Sequence, residues 1–303
     1  MLLNKNQLIE LYDRNKINYD SVKEKCEFNL INKDSVDISI IIPVKGRENF
    51  NIPLVKHLKN AMRSFSDKSY SITFVEHSEE PTHKDLCKNE ANHIWIKKNS
   101  NEFFNKCLSM NVGAIFSNRA KYYLFHDVDI LVNSSFFSDL FDNLSKVKDN
   151  SVLQSFAGRK VVMMNDDLTS MVLNDSIKID DVIPGNISAP YSAQGAPGGS
   201  IFINRDTFIR LGGFDAEFFH SYSCEDTFFY HKAEIISGIQ GCDNPIIEAY
   251  HMEHPRTNGR DNPDIHFQST IYKGFIELSL DDRISFISYI SNNINKELNE
   301  RGI

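Results

Sequence analysis

Two carboxylates one residue apart, Asp127 and Asp129, follow an apolar, aromatic run in Tyr122-Tyr123-Leu124-Phe125-His126-Asp127-Val128-Asp129-Ile130-Leu131-Val132. The run reads as a buried strand of a parallel sheet. That puts the acids at its carboxyl end, where open α/β sheets bind ligands. On an extended chain residues i and i+2 point the same way. Carboxylates so placed repel unless a cation offsets them, and a divalent metal carrying a phosphorylated ligand would do so. The competing reading is a solvated Asp-Val-Asp turn.

Other residue types suited to chemistry lie further along. His251 and His254 are three apart at the end of a strand, and Pro255 disfavours helix at His254. If residues 251–254 close one tight turn, both imidazoles reach one point. Imidazole with carboxylate suits manganese better than magnesium alone; two surface histidines are the alternative. Glu225-Asp226 opens a helix. The pair is either N-terminal capping or one carboxylate binding an acceptor and one acting as general base. Gly198-Gly199 is backbone room for a ligand or a loop end. Arg47 and Lys106 are the basic residues nearest the strand ends, placed either to face phosphates or to be solvated.

The elements that must position these residues alternate. Asp37–Val44 is a β-branched strand ending at Pro43-Val44, followed by Lys45-Gly46-Arg47. An exposed helix over 51–66 leads to a strand over 71–76, then a helix over 82–91 and a short strand over 94–96. A helix over 103–116, with Phe104, Leu108, Val112 and Ile115 on one face, precedes the strand to Asp127. Strand and helix in alternation predict an α/β fold with a doubly wound, mostly parallel sheet.

A helix over 134–147 and strands near 151–156 and 159–164 come next. From Asn165 to Gly199 turn-forming residues dominate, which reads as a functional lid or as a surface insertion. A strand over 199–204, a short helix over 206–211, a helix over 225–236 and a strand over 246–250 complete the domain. Residues 1–36 form a polar N-terminal extension with a short helix around 5–15. Residues 37–275 form the main domain, split into 37–130 and 131–275, and 276–303 form a C-terminal helix whose apolar face packs on the core.

Composition narrows the function classes. The 303 residues carry a net charge of −8, which argues against a nucleic-acid partner. No run of 18 apolar residues exists, so no transmembrane helix is expected. The polar opening is read as no signal peptide. The 5 cysteines are scattered, with no Cys-x-x-Cys, which reads as reduced thiols in a cytoplasmic protein with no zinc cluster.

In order, five groups of residues resemble the β-1,4-galactosyltransferase-type glycosyltransferases. They are Ile38-Ser39-Ile40-Ile41-Ile42-Pro43 to Arg47; Phe104-Asn105-Lys106 to Asn111-Val112-Gly113; Asp127-Val128-Asp129; Gly198-Gly199 through Gly212-Gly213-Phe214 to Glu225-Asp226; and His251-x-x-His254. The resemblance covers about residues 37–265. It implies a GT-A fold, a Rossmann-like nucleotide-diphospho-sugar transferase with a mixed, mostly parallel central sheet flanked by helices.

Carried over by position, it implies that Pro43, Val44 and Arg47 line the uridine and diphosphate pocket, and that Phe104 and Lys106 flank the nucleotide. Asp127 and Val128 contact it. Asp129, His251 and His254 hold manganese, with magnesium as the alternative. Gly199 and Tyr222 contact the donor sugar or its phosphate, Glu225 holds the acceptor, and Asp226 deprotonates its hydroxyl. The family's Trp-Gly-x-Gly-like segment is Tyr222-Ser223-Cys224 here, and its Met-x-x-His is His251-x-x-His254.

The implied activity is metal-dependent inverting transfer of Gal, GalNAc, Glc or GlcNAc from a UDP-sugar to a glycan or glycolipid hydroxyl. Its implied setting is bacterial surface polysaccharide or lipooligosaccharide assembly, with at most peripheral contact at the inner face of the membrane. A retaining GalNAc-transferase-like enzyme, a non-catalytic nucleotide- or carbohydrate-binding module and a metal phosphoesterase are the rival readings.

Overall fold

Along the first long strand, Ile38, Ile40, Ile42 and Val44 belong to one buried cluster and Ile41 to another. A strand apolar on both sides has to be covered on both sides, and the computed structural model shows that arrangement. It describes residues 3–31, 34–65, 67–144, 152–154, 161–182, 199–221, 223–237, 249–255 and 264–300.

The chain runs α1 (Lys5–Asn15), α2 (Tyr19–Glu24), β1 (Cys26–Asn29), β2 (Val36–Val44), α3 (Asn51–Met62), β3 (Tyr70–Ser78), β4 (Asn92–Lys97), α4 (Lys106–Phe116) and β5 (Ala120–His126). It continues with β6 (Ile130–Val132), α5 (Phe136–Leu144), β7 (Val152–Gln154), β8 (Val161–Met163), α6 (Asp166–Leu173), β9 (Ser200–Asn204) and α7 (Arg205–Arg210). The last elements are α8 (Glu225–Ser237), β10 (Ala249–His251), α9 (Ile265–Glu277) and α10 (Leu280–Glu300).

The main sheet has the order β1-β4-β3-β2-β5-β9-β7. Its centre, β4-β3-β2-β5, is parallel, and both flanks are antiparallel. This is the α/β, mixed and mostly parallel architecture expected. Helices α3, α5 and α6 add apolar residues to one cluster, and α4 with α7–α10 build the other. Gly113 lets α4 sit tightly on the sheet, because a Cβ there would collide with Ile41 Cγ2.

A second sheet, β6-β10-β8, is small. In it β10 runs antiparallel to β6, with His251 opposite Ile130, and parallel to β8. This pairing brings the end of β10 to the turn that follows β5.

Several sequence expectations are corrected. Residues 82–91 form consecutive turns, not a helix. The buried Glu76 carboxylate accepts the backbone N–H groups of Thr82 (2.9 Å) and His83 (3.1 Å), and so fixes the start of the segment in a turn. Helix α3 is not simply exposed: Leu54, Val55, Leu58, Ala61 and Met62 are buried along it. The stretch opening at Asn165 starts as a helix, α6. Its Asp166 and Asp167 occupy the first turn, where the helix dipole favours them, and Asn165 accepts the Leu168 N–H. Val172, Ile179 and Val182 from this stretch are buried in the core. The remainder, 183–198, lies outside the described residues, as do Gly198, Tyr222, Cys242 and residues 246–248.

Two elements in residues 1–36 had no apolar signal to find. Helix α2 is six residues long, capped by Asn18, and β1 is an edge strand with no fully buried side chain. Helix α1 packs on α9 and α10, with Leu8 and Tyr12 buried. On α10, Phe286, Ile287 and Ile290 face the core, while Ile284 and Tyr289 are exposed. Among the described residues no helix is long and apolar enough to cross a membrane.

Candidate active site

The strand end at His126 is locked before the acidic turn begins. His126 is buried and burial holds it neutral, with its pKa lowered to about 4. Its Nε2 donates to the Ile130 carbonyl (3.0 Å) and its Nδ1 accepts from the Ser200 hydroxyl (3.0 Å). The Ile130 N–H bonds back to the Asp127 carbonyl (3.2 Å), closing a turn over Asp127-Val128-Asp129-Ile130. The Asp127 N–H donates to Gly199 O (3.0 Å), which places Gly199 beside the turn.

This turn overturns the idea that Asp127 and Asp129 share one extended face. Each carboxylate has its own cations. Asp127 meets Lys106 Nζ at 2.6 Å. Asp129, almost fully buried, meets Arg47, His251 and His254. Burial raises the Asp127 carboxyl to about 6, with Lys106 opposing and the Asp129 charge adding to the rise. Burial would raise Asp129 too, but the His254 hydrogen bond and the Arg47 and His251 charges outweigh it, leaving Asp129 well below the usual carboxylate range.

Asp129, His251 and His254 offer ligand atoms that all lie within 4.8 Å of one another. On the Asp129 Oδ2 oxygen converge His254 Nε2 at 3.0 Å, His251 Nε2 at 3.6 Å and a guanidinium nitrogen of Arg47. The Met252 N–H donates to the Asp129 carbonyl (2.8 Å), which ties the histidine turn to the acidic turn.

His254 shows that this donor set fits a metal. Its Nδ1 lies 3.0 Å from the Pro255 carbonyl and so carries a proton. In a neutral ring the Nε2 lone pair would then face the Asp129 oxygen. Only a proton or a metal on Nε2 makes that contact favourable. The contact accordingly raises the His254 pKa. Two imidazoles and one buried carboxylate are a set for a borderline divalent ion.

Pro43 and Val44 are buried at the carboxyl end of β2. Val128 is buried under the turn. Lys106 begins α4, whose cap Asn105 accepts the Leu108 N–H. Burial would lower the Lys106 pKa, but Asp127, Glu225 and Asp226 together push it up. Lys106 therefore feels the acids of the β5 turn and those that open α8. Glu225 is buried and accepts the Ser223 N–H (3.1 Å); burial and the Asp226 charge raise it to about 7. Asp226 is partly exposed, and its Oδ1 takes the Thr227 N–H (2.6 Å) and hydroxyl (3.2 Å).

Sequence reasoning missed three contributors. His77, at the end of β3, accepts the Asn105 N–H on Nδ1 (3.0 Å) and lies 6.3 Å ring to ring from Phe104. His126 locks the acidic turn. Lys232 pairs with Asp215 at 2.6 Å, both side chains essentially buried, and donates to the Leu211 and Gly213 carbonyls (3.0 and 2.9 Å). Lys232 stands between His231 and Ala233-Glu234 in a mixed polar and aromatic stretch, so nothing in the local sequence marked it as buried.

Comparison with known proteins follows the same lines. Residues 39–237 match the family model described as glycosyltransferase like family 2. No curated protein matches the chain. Among solved structures, the catalytic domain of Drosophila β1,4-galactosyltransferase 7 in complex with xylobiose is 15% identical, with a TM-score of 0.50, over 81% of this chain and 83% of that one. A mannosyltransferase, PcManGT, from Pyrobaculum calidifontis, in complex with GDP-Man and Mn2+, is 12% identical, with a TM-score of 0.47, over 98% and 85%. S. aureus TarS 1–349 is 16% identical, with a TM-score of 0.45, over 88% and 71%. Identities this low speak to the fold, whereas the family model matches well over half of the sequence. The chain belongs to glycosyltransferase-like family 2 and is a glycosyltransferase of GT-A fold.

Proposed function

We propose that the enzyme is a metal-dependent, inverting transferase. It moves galactose, N-acetylgalactosamine, glucose or N-acetylglucosamine from a UDP-sugar to a hydroxyl of a glycan or glycolipid. Its setting is bacterial surface polysaccharide or lipooligosaccharide synthesis, in the cytoplasm and at most peripheral to the membrane. The observation that carries the reading is the convergence of Asp129, His251 and His254, with Lys106 relating that centre to Glu225 and Asp226.

Asp129, His251 and His254 would hold the ion, manganese in the first instance. When bound, it neutralises the diphosphate of the leaving group. The chain's own residues do the rest. Arg47 and Lys106 meet the phosphates as charge-assisted donors. Phe104 and the end of β2 enclose the base. Glu225, holding its proton up to about pH 7, donates to an acceptor oxygen. Asp226 takes the proton of the attacking hydroxyl, which approaches the anomeric carbon from the face opposite the leaving group. Two neighbouring carboxyls in unlike surroundings, one buried and one partly exposed, suit this division of roles.

The test is a screen of UDP-sugars with manganese and without acceptor, followed by acceptor trials and determination of the product's anomeric configuration. Manganese-dependent release of UDP and an inverted product support the reading. A retained anomer, or phosphate release from simple esters without sugar transfer, sinks it.

A further inference from the structure

Arg47 has an unusual backbone for its residue type. It sits at φ 64°, ψ 36°, directly after Gly46 at φ 66°. The left-handed region is disfavoured for a residue with a Cβ and persists where the surroundings impose it. Here the next residues close a turn, with the Phe50 N–H bonded to the Arg47 carbonyl (3.0 Å) and Phe50 buried. The result delivers the guanidinium onto Asp129.

The oxygen it reaches is the one both histidines face. Asp129 Oδ2 already has His254 Nε2 at 3.0 Å and His251 Nε2 at 3.6 Å. A carboxylate oxygen has two lone pairs, and a divalent ion bonded to Oδ2 would stand against the guanidinium charge. The Asp129 side chain is 6% exposed and that of Arg47 is 35% exposed, so the arginine can swing outward while the acid cannot.

We infer that Arg47 is an internal cation that occupies the metal position's carboxylate and yields it only when a nucleotide diphosphate draws the guanidinium away. This rests on the metal-centre reading above. Arg47 then couples two bindings. Metal alone has to displace a fixed positive charge. Metal with a diphosphate does not, because the planar fork of the arginine transfers to phosphate oxygens, which it matches in geometry. Such coupling is reciprocal: diphosphate tightens metal, and metal tightens diphosphate, by one factor. It keeps the metal-binding carboxylate neutralised in the resting enzyme and biases loading toward the metal–nucleotide pair.

The experiment measures free Mn2+ by electron paramagnetic resonance during titration of the full chain, with and without UDP. It uses wild type, Arg47→Gln, Arg47→Lys and His254→Ala. Arg47→Gln should bind Mn2+ alone about fivefold or more tighter than wild type, and the enhancement by UDP should shrink by a similar factor. Arg47→Lys, which keeps charge without the fork, should fall between. A role in folding alone would weaken metal binding, so the gain is the discriminating sign. If His254→Ala weakens Mn2+ binding while Arg47→Gln leaves it unchanged or weaker, the inference is overturned and the metal centre stands. If His254→Ala leaves Mn2+ binding unchanged, or no variant binds Mn2+, the metal centre falls and the inference with it.

Discussion

His254 is held between two acceptors: its Nδ1 lies 3.0 Å from the Pro255 carbonyl and its Nε2 lies 3.0 Å from Asp129 Oδ2. The hydrogen bond to Asp129 raises its pKa above the ordinary 6.5. Below that raised value the ring carries the proton that a metal has to replace. Manganese affinity should therefore fall by about tenfold per pH unit as pH drops through it. His254→Ala should cost about tenfold or more in affinity and flatten this dependence. Titrations of Mn2+ between pH 6 and 8 check both; equal slopes in the two proteins would remove His254 from the metal shell. Without metal, the same proton stabilises the fold, fully at pH below the unfolded value and less as pH rises through the folded one.

Asp226→Asn keeps the shape of the side chain and removes its basicity. Transfer should fall by roughly 10²–10⁴-fold, the usual worth of a general base, with UDP-sugar and manganese affinity near normal. Rate and donor affinity measured in the same variant decide it. Near-normal transfer would move the base elsewhere, with Glu225 next in line, and lost donor affinity would make Asp226 a binding residue.

Glu225 makes a separate prediction about stability. Its folded pKa, raised from 4.5 to about 7 by burial and by Asp226, means that the fold prefers the protonated form. Its contribution is fully present below about pH 4.5 and is lost as pH rises through about 7. Glu225→Gln cannot ionise. Its melting temperature relative to wild type should therefore rise from pH 5 to about pH 7 and level off above it. Parallel melting curves across that range would show that Glu225 is not desolvated.

Lys232 and Asp215 test the support beneath the acceptor side. Lys232→Met leaves a buried carboxylate uncompensated and strips a donor from the Leu211 and Gly213 carbonyls. It should cost about 3–5 kcal/mol. The double variant with Asp215→Leu should recover part of that loss. Denaturant unfolding of the two single variants and the double one measures the coupling, and strict additivity would mean that the pair does not act as one unit.

Much of the sheet was legible because its signal is local. The β-branched run at Ile38–Val44, the aromatic run at Tyr122–Phe125 and the helical period from Leu108 to Ile115 each read correctly as strand, strand and helix, although the helix begins at Lys106 and leaves Phe104, expected on its face, in the loop before it. The acids opening α8 were legible for the same reason. Residues 82–91 misled, because polar and apolar spacing suited a helix while a carboxylate six residues upstream took the backbone N–H groups. Asn165, Asp166 and Asp167 misled in the other direction: the residue types that break helices also start them.

The donor set could be listed from the sequence by residue type and by resemblance, since Asp129 follows one recognisable strand and His251 and His254 lie at and just past the end of another. Their meeting could not. It depends on β10 pairing antiparallel with β6 and on the Met252 N–H reaching the Asp129 carbonyl, contacts between segments more than a hundred residues apart. The separation of Asp127 from Asp129 was equally out of reach, because an i, i+2 pair shares a face only while the chain stays extended, and His126 bends it. Local periodicity thus determined the elements and the residue types at their ends. Long-range strand pairing and buried polar contacts decided which charges face which, and with them that Asp129 is shared by two histidines and Arg47, while Asp127 belongs to Lys106.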